Sequence, residues 1–502
     1  MNPMTGTAAD LRASTGDRSS EFRIAVIGGG ISGLAAAHRL VELSTDAESP
    51  AVTIELFDAA ERLGGCFGTE QIGDYVVETG ADSFITDKPW GLELCRRLGL
   101  EDRLIGIDAR YRRALIAKGG QLLPVPTGLS LMAPTRFAGL LQTGLLSPIG
   151  KLRAAAEYLV PRRRETSEES IGAFAVRRFG REMYDNVIQP LVGGIYTGDP
   201  ERLSLSATFP RFIEMEQQWG GLIRGVRGMR AASGERATDS GVRYGLFATP
   251  RDGMSALQNA LRDRVQQRAT IHAGQRVTVM RNRTAGNGDA FEFETSGGER
   301  HVADAVIMAL PAWQAAEVMS PWAGELVGAL REIDYASSAI VVSGHRLSEI
   351  RHPLDAAGLV IPHRERRRIL AVSFLSRKFP VRAPDGRVIL RTFVGGALQP
   401  ELLDNDDERL TRIVHEELRE LLGVGGQPEF VRVVRYHRAM PQYELGHIER
   451  VERIERLAGD IAGLELAGNA YRGVGVPDCI HSGEEAAERV WARVGARAKP
   501  QA

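Results

Sequence analysis

The sequence predicts an α/β protein built around a Rossmann-like dinucleotide-binding domain, and three observations predict it. Residues 24–27 are an apolar run of β-formers, followed by glycines at Gly28, Gly30 and Gly33 in the spacing G-x-G-x-x-G. An alanine-rich, helix-favouring segment then runs to Leu40. A second β-type run, residues 52–57, ends at Asp58, 25 residues past the third glycine. Strand, tight turn and helix in this order is the setting in which the glycine spacing marks a dinucleotide site. The turn lets backbone approach a pyrophosphate, whose charge the N–H groups and dipole of the helix N-terminus favour. The acid at position 58 is placed to hold ribose hydroxyls.

Two further glycine clusters follow. Arg62, Gly64 and Gly65 precede a strand-like run, and Gly80 opens the sequence Gly80-Ala81-Asp82-Ser83-Phe84. Each alone also reads as a structural loop. Together, just downstream of the fingerprint, they point to FAD over NAD, because a long, buried cofactor needs several close backbone approaches.

Residues 86–250 are mainly helical in pattern, with apolar recurrence at helical spacing over 92–100 and from 134 to 178. Residues 113–128 alternate and end in Pro124, Pro126 and Gly128, which predicts strands or a hairpin. The passage PLVGGIYTGDPERLSLSATFP spans 190–210, where Gly193 and Gly194 would admit a flat ring or a close helix contact. Arginines cluster at 162–164 and at Arg224, Arg227 and Arg230. They read as a solvated helical face, with anionic lipid or a partner enzyme as the alternative. After a helix over 255–264, residues 275–283, 290–295 and 299–302 predict a β-meander, and 306–310 a buried strand. Strand-like runs recur at 335–343, 358–362 and 369–373. The chain closes with a loop holding Asn469, Gly473 and Gly475, then a helix with Pro477 in its first turn.

Composition sets the outer bounds. A chain of 502 residues with 43% hydrophobic and 25% charged content supports two or three globular domains. Net charge −1 gives no general attraction to nucleic acid. Cys66, Cys95 and Cys479 are too scattered for a metal site or disulfide framework, which suggests a reducing compartment. No apolar run is long enough for a membrane span. Residues 1–21 lack the pattern of a targeting segment and read as a disordered tail.

The order G-x-G-x-x-G, acid, R-x-G-G and G-A-D-S-F resembles the flavin-containing amine oxidase superfamily. The 190–210 passage, Ala439-Met440-Pro441-Gln442-Tyr443 with Gly446-His447, and the C-terminal loop and helix are similar to the porphyrinogen oxidases within it. This resemblance covers about residues 22–495. It implies an FAD-binding domain assembled from 22–110, 241–330 and 456–495. A mixed α+β substrate domain would comprise 111–133 and 331–455, and a mainly helical insertion 134–240, with tails at 1–21 and 496–502. It further implies a cofactor site of Gly28, Gly29, Gly30, Ile31, Ser32, Gly33, Asp58, Ala59, Arg62, Gly64, Gly65, Cys66, Gly80, Ala81, Asp82, Ser83, Val277, Asn469, Val474, Gly475 and Val476. Arg113 and Gly194 are the implied substrate-binding residues, although a solvent-facing arginine is an equal reading of Arg113. Tyr436 stands where the family often has tryptophan, a change read as packing, and Asp252 replaces a customary glycine.

The implied activity is six-electron oxidation of protoporphyrinogen IX or coproporphyrinogen III, in three flavin cycles, with dioxygen as acceptor and hydrogen peroxide released. No acid–base pair is evident in the sequence, and none is assigned. The implied setting is cytoplasmic, with at most peripheral membrane contact, a ferrochelatase-type pathway partner, no nucleic acid, and a monomer or homodimer. Alternatives are an amine oxidase or carotenoid desaturase, and a non-catalytic flavoprotein scaffold.

Overall fold

The computed structural model describes residues 21–45, 49–126, 128–130, 132–134, 137–165, 167–233, 246–283 and 291–498. The expected N-terminal tail therefore lies outside the described residues, apart from Glu21. A five-stranded parallel sheet organises the nucleotide domain, in the order Thr270–His272, Val52–Phe57, Phe22–Ile27, Ala305–Met308, Leu464–Leu466. It draws strands from three separated parts of the chain, as the discontinuous domain requires.

Both faces of this sheet are covered, which explains its nearly continuous apolar strands. Ile24 and Val26 point into one core with Leu34, Leu257 and Ile480, supplied by helices Ile31–Leu43, Ser255–Val265 and Val476–Ala498. Ala25 and Ile27 point into the other, beneath the predicted meander Val277–Asn282, Phe291–Thr295 and Arg300–Ala303. Helix His447–Gly459 buries Val451 and Ile454 in this second core. Residues 447–455 thus pack with the nucleotide domain, against their assignment to the substrate domain, because their apolar stripe has its partners there. The last helix reaches Ala498, so residues 496–498 are helical where a tail was expected.

A seven-stranded mixed sheet forms the second domain, in the order Phe430–Pro441, Tyr335–Arg346, Arg387–Gly395, Ala371–Phe374, Gly358–Val360, Ala114–Lys118, Gln121–Pro124. The predicted hairpin over 113–128 supplies its last two strands. Between the domains stands the helical insertion, with its own core of Phe174, Val187, Val192, Leu205 and Phe212. Its 134–178 part is not one periodic stretch but Phe137–Gln142, Pro148–Ala155 and Ile171–Phe179, interrupted where Pro148 and Pro161 cannot continue a helix. Arg224 and Arg227 lie over the Tyr158 ring, at 4.5 and 5.8 Å. The side chain of Arg230 is outside the described set.

Candidate functional site

The fingerprint glycines sit at the C-terminal edge of the parallel sheet, where open α/β sheets bind ligands. Gly28 has φ +108°, and a Cβ on Gly33 would lie 1.8 Å from the Gly28 carbonyl oxygen, so strand and helix touch only through glycine. Gly30 differs, because a Cβ there would meet nothing within 4 Å. Helix Ile31–Leu43 starts at Gly30 with no side-chain cap and no acid in its first turn. An open glycine beside an uncapped helix N-terminus fits a phosphate-bearing ligand.

Asp58 is tied to this turn. Its Oδ2 accepts from the Gly29 N–H at 2.5 Å and its Oδ1 from the Ala60 N–H at 2.7 Å. Gly28, Asp58, Ala59 and Val277 line one cavity of about 190 Å³, closed by Phe57 and Leu310. Four positions spread over 250 residues of sequence are thereby brought together.

The second glycine loop lies directly against the first. The Gly64 N–H donates to the Gly29 carbonyl at 2.7 Å, and Arg62 reaches Gln258 Oε1 at 2.8 Å. A Cβ on Gly80 would fall 1.6 Å from the Cys66 carbonyl oxygen, so the third loop closes on the second. Cys66 is exposed, on the loop whose carbonyl the Gly80 turn meets. Tyr436 is more than packing here: its hydroxyl donates to the Thr79 carbonyl at 2.9 Å, beside the Gly80 turn.

Asp82 anchors that turn. It receives Lys378 Nζ at 3.0 Å, Arg391 Nη1 at 2.7 Å and the Ser83 hydroxyl at 2.7 Å, and Arg391 also donates to the Gly80 carbonyl. Burial alone would raise its carboxyl, but the two cations prevail and hold it far below the usual range. Four residues earlier, Glu78 and Arg382 form a fully buried pair at 3.1 Å. No local pattern marks Gln258, Lys378 or Arg391 for this place, since their partners lie 196, 296 and 309 residues away.

On the far side, Asn469 stands at the start of the loop, and Val474, Gly475 and Val476 cross between domains. Val474 packs on the helical insertion and Val476 on the nucleotide core. Asp478 crowds Gly473 and Gly475, so that a Cβ on either would lie 2.4 or 2.8 Å from it, and it pairs with Lys88 at 2.6 Å.

Gly194 is exposed on helix Gln189–Tyr196, next to Ile195, and a Cβ on it would lie 3.3 Å from Val360 Cγ1. Arg113 takes the solvent-facing alternative. Its side chain is 51% exposed, ion-paired with Asp355, and its Nε donates to the Asp355 carbonyl at 2.9 Å. A different guanidinium is uncommitted. Arg377, half-buried beside Lys378, donates to the Tyr111 hydroxyl at 3.2 Å and has no acidic partner among the described residues.

The chain matches the family described as flavin containing amine oxidoreductase over residues 31–491. It is 33% identical to the coproporphyrinogen III oxidase of Bacillus subtilis (strain 168), over 92% of this chain and 96% of that one. It is 28% identical to protoporphyrinogen oxidase 2, chloroplastic/mitochondrial, of Arabidopsis thaliana, over 93% of both chains. A crystal structure from Exiguobacterium sp. 255-15, provisionally assigned as a protoporphyrinogen oxidase, superposes with a TM-score of 0.81 at 29% identity, covering 94% of this chain and 99% of that one. Reduced UDP-galactopyranose mutase shares the fold, with a TM-score of 0.68 at 15% identity.

Proposed function

The chain belongs to the family of flavin-containing amine oxidoreductases, and from that premise we propose that it is an FAD-dependent porphyrinogen oxidase of haem biosynthesis with coproporphyrinogen III as its preferred substrate. The observation that carries this reading is the convergence of three glycine loops, at 28–33, 64–65 and 80, on one cleft. Val474, in the loop that leads into the last helix, packs on the core of the helical insertion that bears Gly194. The preference for coproporphyrinogen rests on relatives: curated proteins of that name are 30–33% identical, those named protoporphyrinogen oxidase 26–28%.

The residues present fit FAD. Gly30 leaves the first helical turn open to a pyrophosphate, Asp58 and Val277 border the cavity at the nucleotide end, and Gly64, Gly65 and Gly80 let their loops pack against Gln258, Gly30 and Cys66 beside it. When bound, the flavin takes up the electrons removed from the substrate. The protein's part is positioning. Asp82, held ionised by Lys378 and Arg391, fixes the Gly80–Ser83 turn and is fully engaged, so it acts as an anchor and not as a base. The exposed Gly194 and Ile195 offer an apolar wall against which a methylene bridge would be positioned.

We assign the electron acceptor as dioxygen. No described helix is long and apolar enough to cross a membrane. The insertion does expose Ile149, Leu152 and Leu159 at 80, 73 and 77%, next to exposed Arg162 and Arg164. That pairing of apolar and cationic groups suits peripheral contact with an anionic bilayer.

The test is porphyrin fluorescence in air after adding each porphyrinogen to the purified, flavin-loaded protein, with peroxide measured in parallel. Porphyrin and peroxide should both rise, faster with coproporphyrinogen III. Flavin-loaded protein that oxidises neither substrate would overturn the proposal.

A further inference from the structure

Tyr443 has no role in the reaction as described above, yet it is buried to 1% exposure with both sides of its hydroxyl engaged. Its Oη donates to the Asn469 carbonyl at 2.6 Å and accepts from the Gly473 N–H at 2.8 Å. One hydroxyl thereby closes the loop that leads into Val474–Val476. Around it, Ala470 and Tyr471 are buried, and Gly473 sits at φ +153°, a conformation open to glycine, so the hydroxyl is the contact that spans the loop from Asn469 to Gly473.

The ring that carries this hydroxyl is itself held. His447 stacks on it at 3.9 Å and 16°, and His447 Nε2 lies 2.9 Å from the Tyr471 carbonyl. A carbonyl only accepts, so Nε2 carries the proton. Burial lowers the imidazole to about 4, which keeps His447 neutral, and burial holds the Tyr443 phenol protonated.

Position gives this pair its meaning. Tyr443 follows directly on strand Phe430–Pro441 of the substrate domain. Its carbonyl accepts from the Ser204 N–H at 2.7 Å, and its neighbour Gln442 donates to the Tyr196 carbonyl at 3.3 Å, both in the helical insertion. Backbone and side chain of one short segment therefore fasten the substrate sheet, the helical insertion and the 469–476 loop to each other.

We propose that Tyr443 is a positioning residue for the flavin, acting through the 469–476 loop that its hydroxyl clasps. This rests on the reading that residues 469–476 border the bound flavin. A hydroxyl worth one buried hydrogen-bond pair corresponds to about a tenfold effect on cofactor retention.

The experiment compares holoprotein of the wild type, Tyr443→Phe and His447→Gln by flavin dissociation rate, visible spectrum, flavin reduction potential and thermal melt. Tyr443→Phe keeps the ring and its stacking. It should melt within a few degrees of wild type, release flavin about tenfold faster, and shift the flavin spectrum and potential, with kcat lowered and KM retained. His447→Gln keeps the hydroxyl but frees the ring, and should move the same quantities in the same direction by about threefold. Tyr443→Phe with wild-type dissociation, spectrum and potential overturns the proposal. If that variant does not fold, wild-type values in His447→Gln overturn it instead. A wild-type protein that purifies without flavin overturns the underlying reading, a result separate from either.

Discussion

The two sides of the cofactor cleft are built by opposite means. The 28–33 turn is held largely by nearby sequence: Gly28, Gly30 and Gly33 determine its path, and Phe57, Asp58 and Gly64 bond to it from the segments that follow soon after in the chain. The 469–476 loop has a path that its own residues do not dictate. One side chain, Tyr443, lies 26 and 30 residues from its two partners and ties it down, from a segment that follows a strand of the substrate sheet. The Gly80 turn lies between these cases, with a glycine of its own and two cations brought from about 300 residues away. A local motif makes a site tolerant of change elsewhere, whereas a distant clasp makes cofactor binding depend on how the domains sit together.

Substitutions on either side should reveal that difference. The largest effect is expected at Gly33→Val, where the new side chain would collide with the Gly28 backbone. Backbone cannot yield as a flexible side chain can, so the expected product is protein without flavin and with a collapsed melt, read by flavin-to-protein absorbance and calorimetry. A flavin-replete Gly33→Val would break the claim that the first turn is fixed by its glycines.

Next comes Asp82→Asn, which leaves Lys378 and Arg391 facing one another half-compensated in a buried place. Breaking one partner of such a cluster costs about 3–5 kcal/mol. Arg391 is buried at 3% exposure, whereas Asp82 and Lys378 keep 12 and 15%, so the lower part of that range is expected. Chemical denaturation measures it, and flavin loss should accompany the destabilisation because the Gly80 turn is freed. Stability lost with flavin affinity intact would separate the anchor from the cradle.

A third test uses pH. His447 is neutral in the folded protein, with its pKa lowered by burial to about 4, against an ordinary value near 6.5. The unfolded chain therefore takes up a proton first as pH falls. The contribution of His447 is fully present above about pH 6.5 and is lost progressively down to about 4, by up to roughly 3 kcal/mol. His447→Gln should flatten that part of the stability–pH curve while leaving the share of His38 and His345, which burial also lowers to about 4. A curve identical to wild type would show that the ring is not dry in solution.

The same contrast explains what could be read from the sequence. The parallel sheet, the fingerprint, the meander and the three glycine loops follow from local rules: β-type runs, glycine spacing and turn chemistry. The order of strands in the seven-stranded sheet, the packing of 447–455 on the nucleotide core, and Lys378, Arg391 and Tyr443 as anchors do not, because each depends on a partner brought near only by folding. Tyr443 and His447 were visible as a motif of the resemblance, but a motif names no partner. Arg113 is implied by the resemblance to a family position, and neither that position nor its charge reports that Asp355 already neutralises it.

That last point leads to the smallest expected effect, on substrate carboxylate recognition. A cation that serves an anionic substrate must have charge to spare. Arg113 is half-exposed, and both Asp355 and water screen it, so Arg113→Ala should raise KM for coproporphyrinogen III by no more than about twofold, in line with a surface ion pair. Arg377 is half-buried and holds only the Tyr111 hydroxyl, so its field is less screened. Arg377→Ala should raise KM by roughly tenfold, as for a charge-assisted hydrogen bond, with flavin content unchanged. The ratio between substrates decides the assignment: a carboxylate contact present only in the four-carboxylate porphyrinogen would raise KM for that substrate and spare the two-carboxylate one. Equal effects of the two substitutions, on both substrates, would return Arg377 to the role of a packing partner for Tyr111.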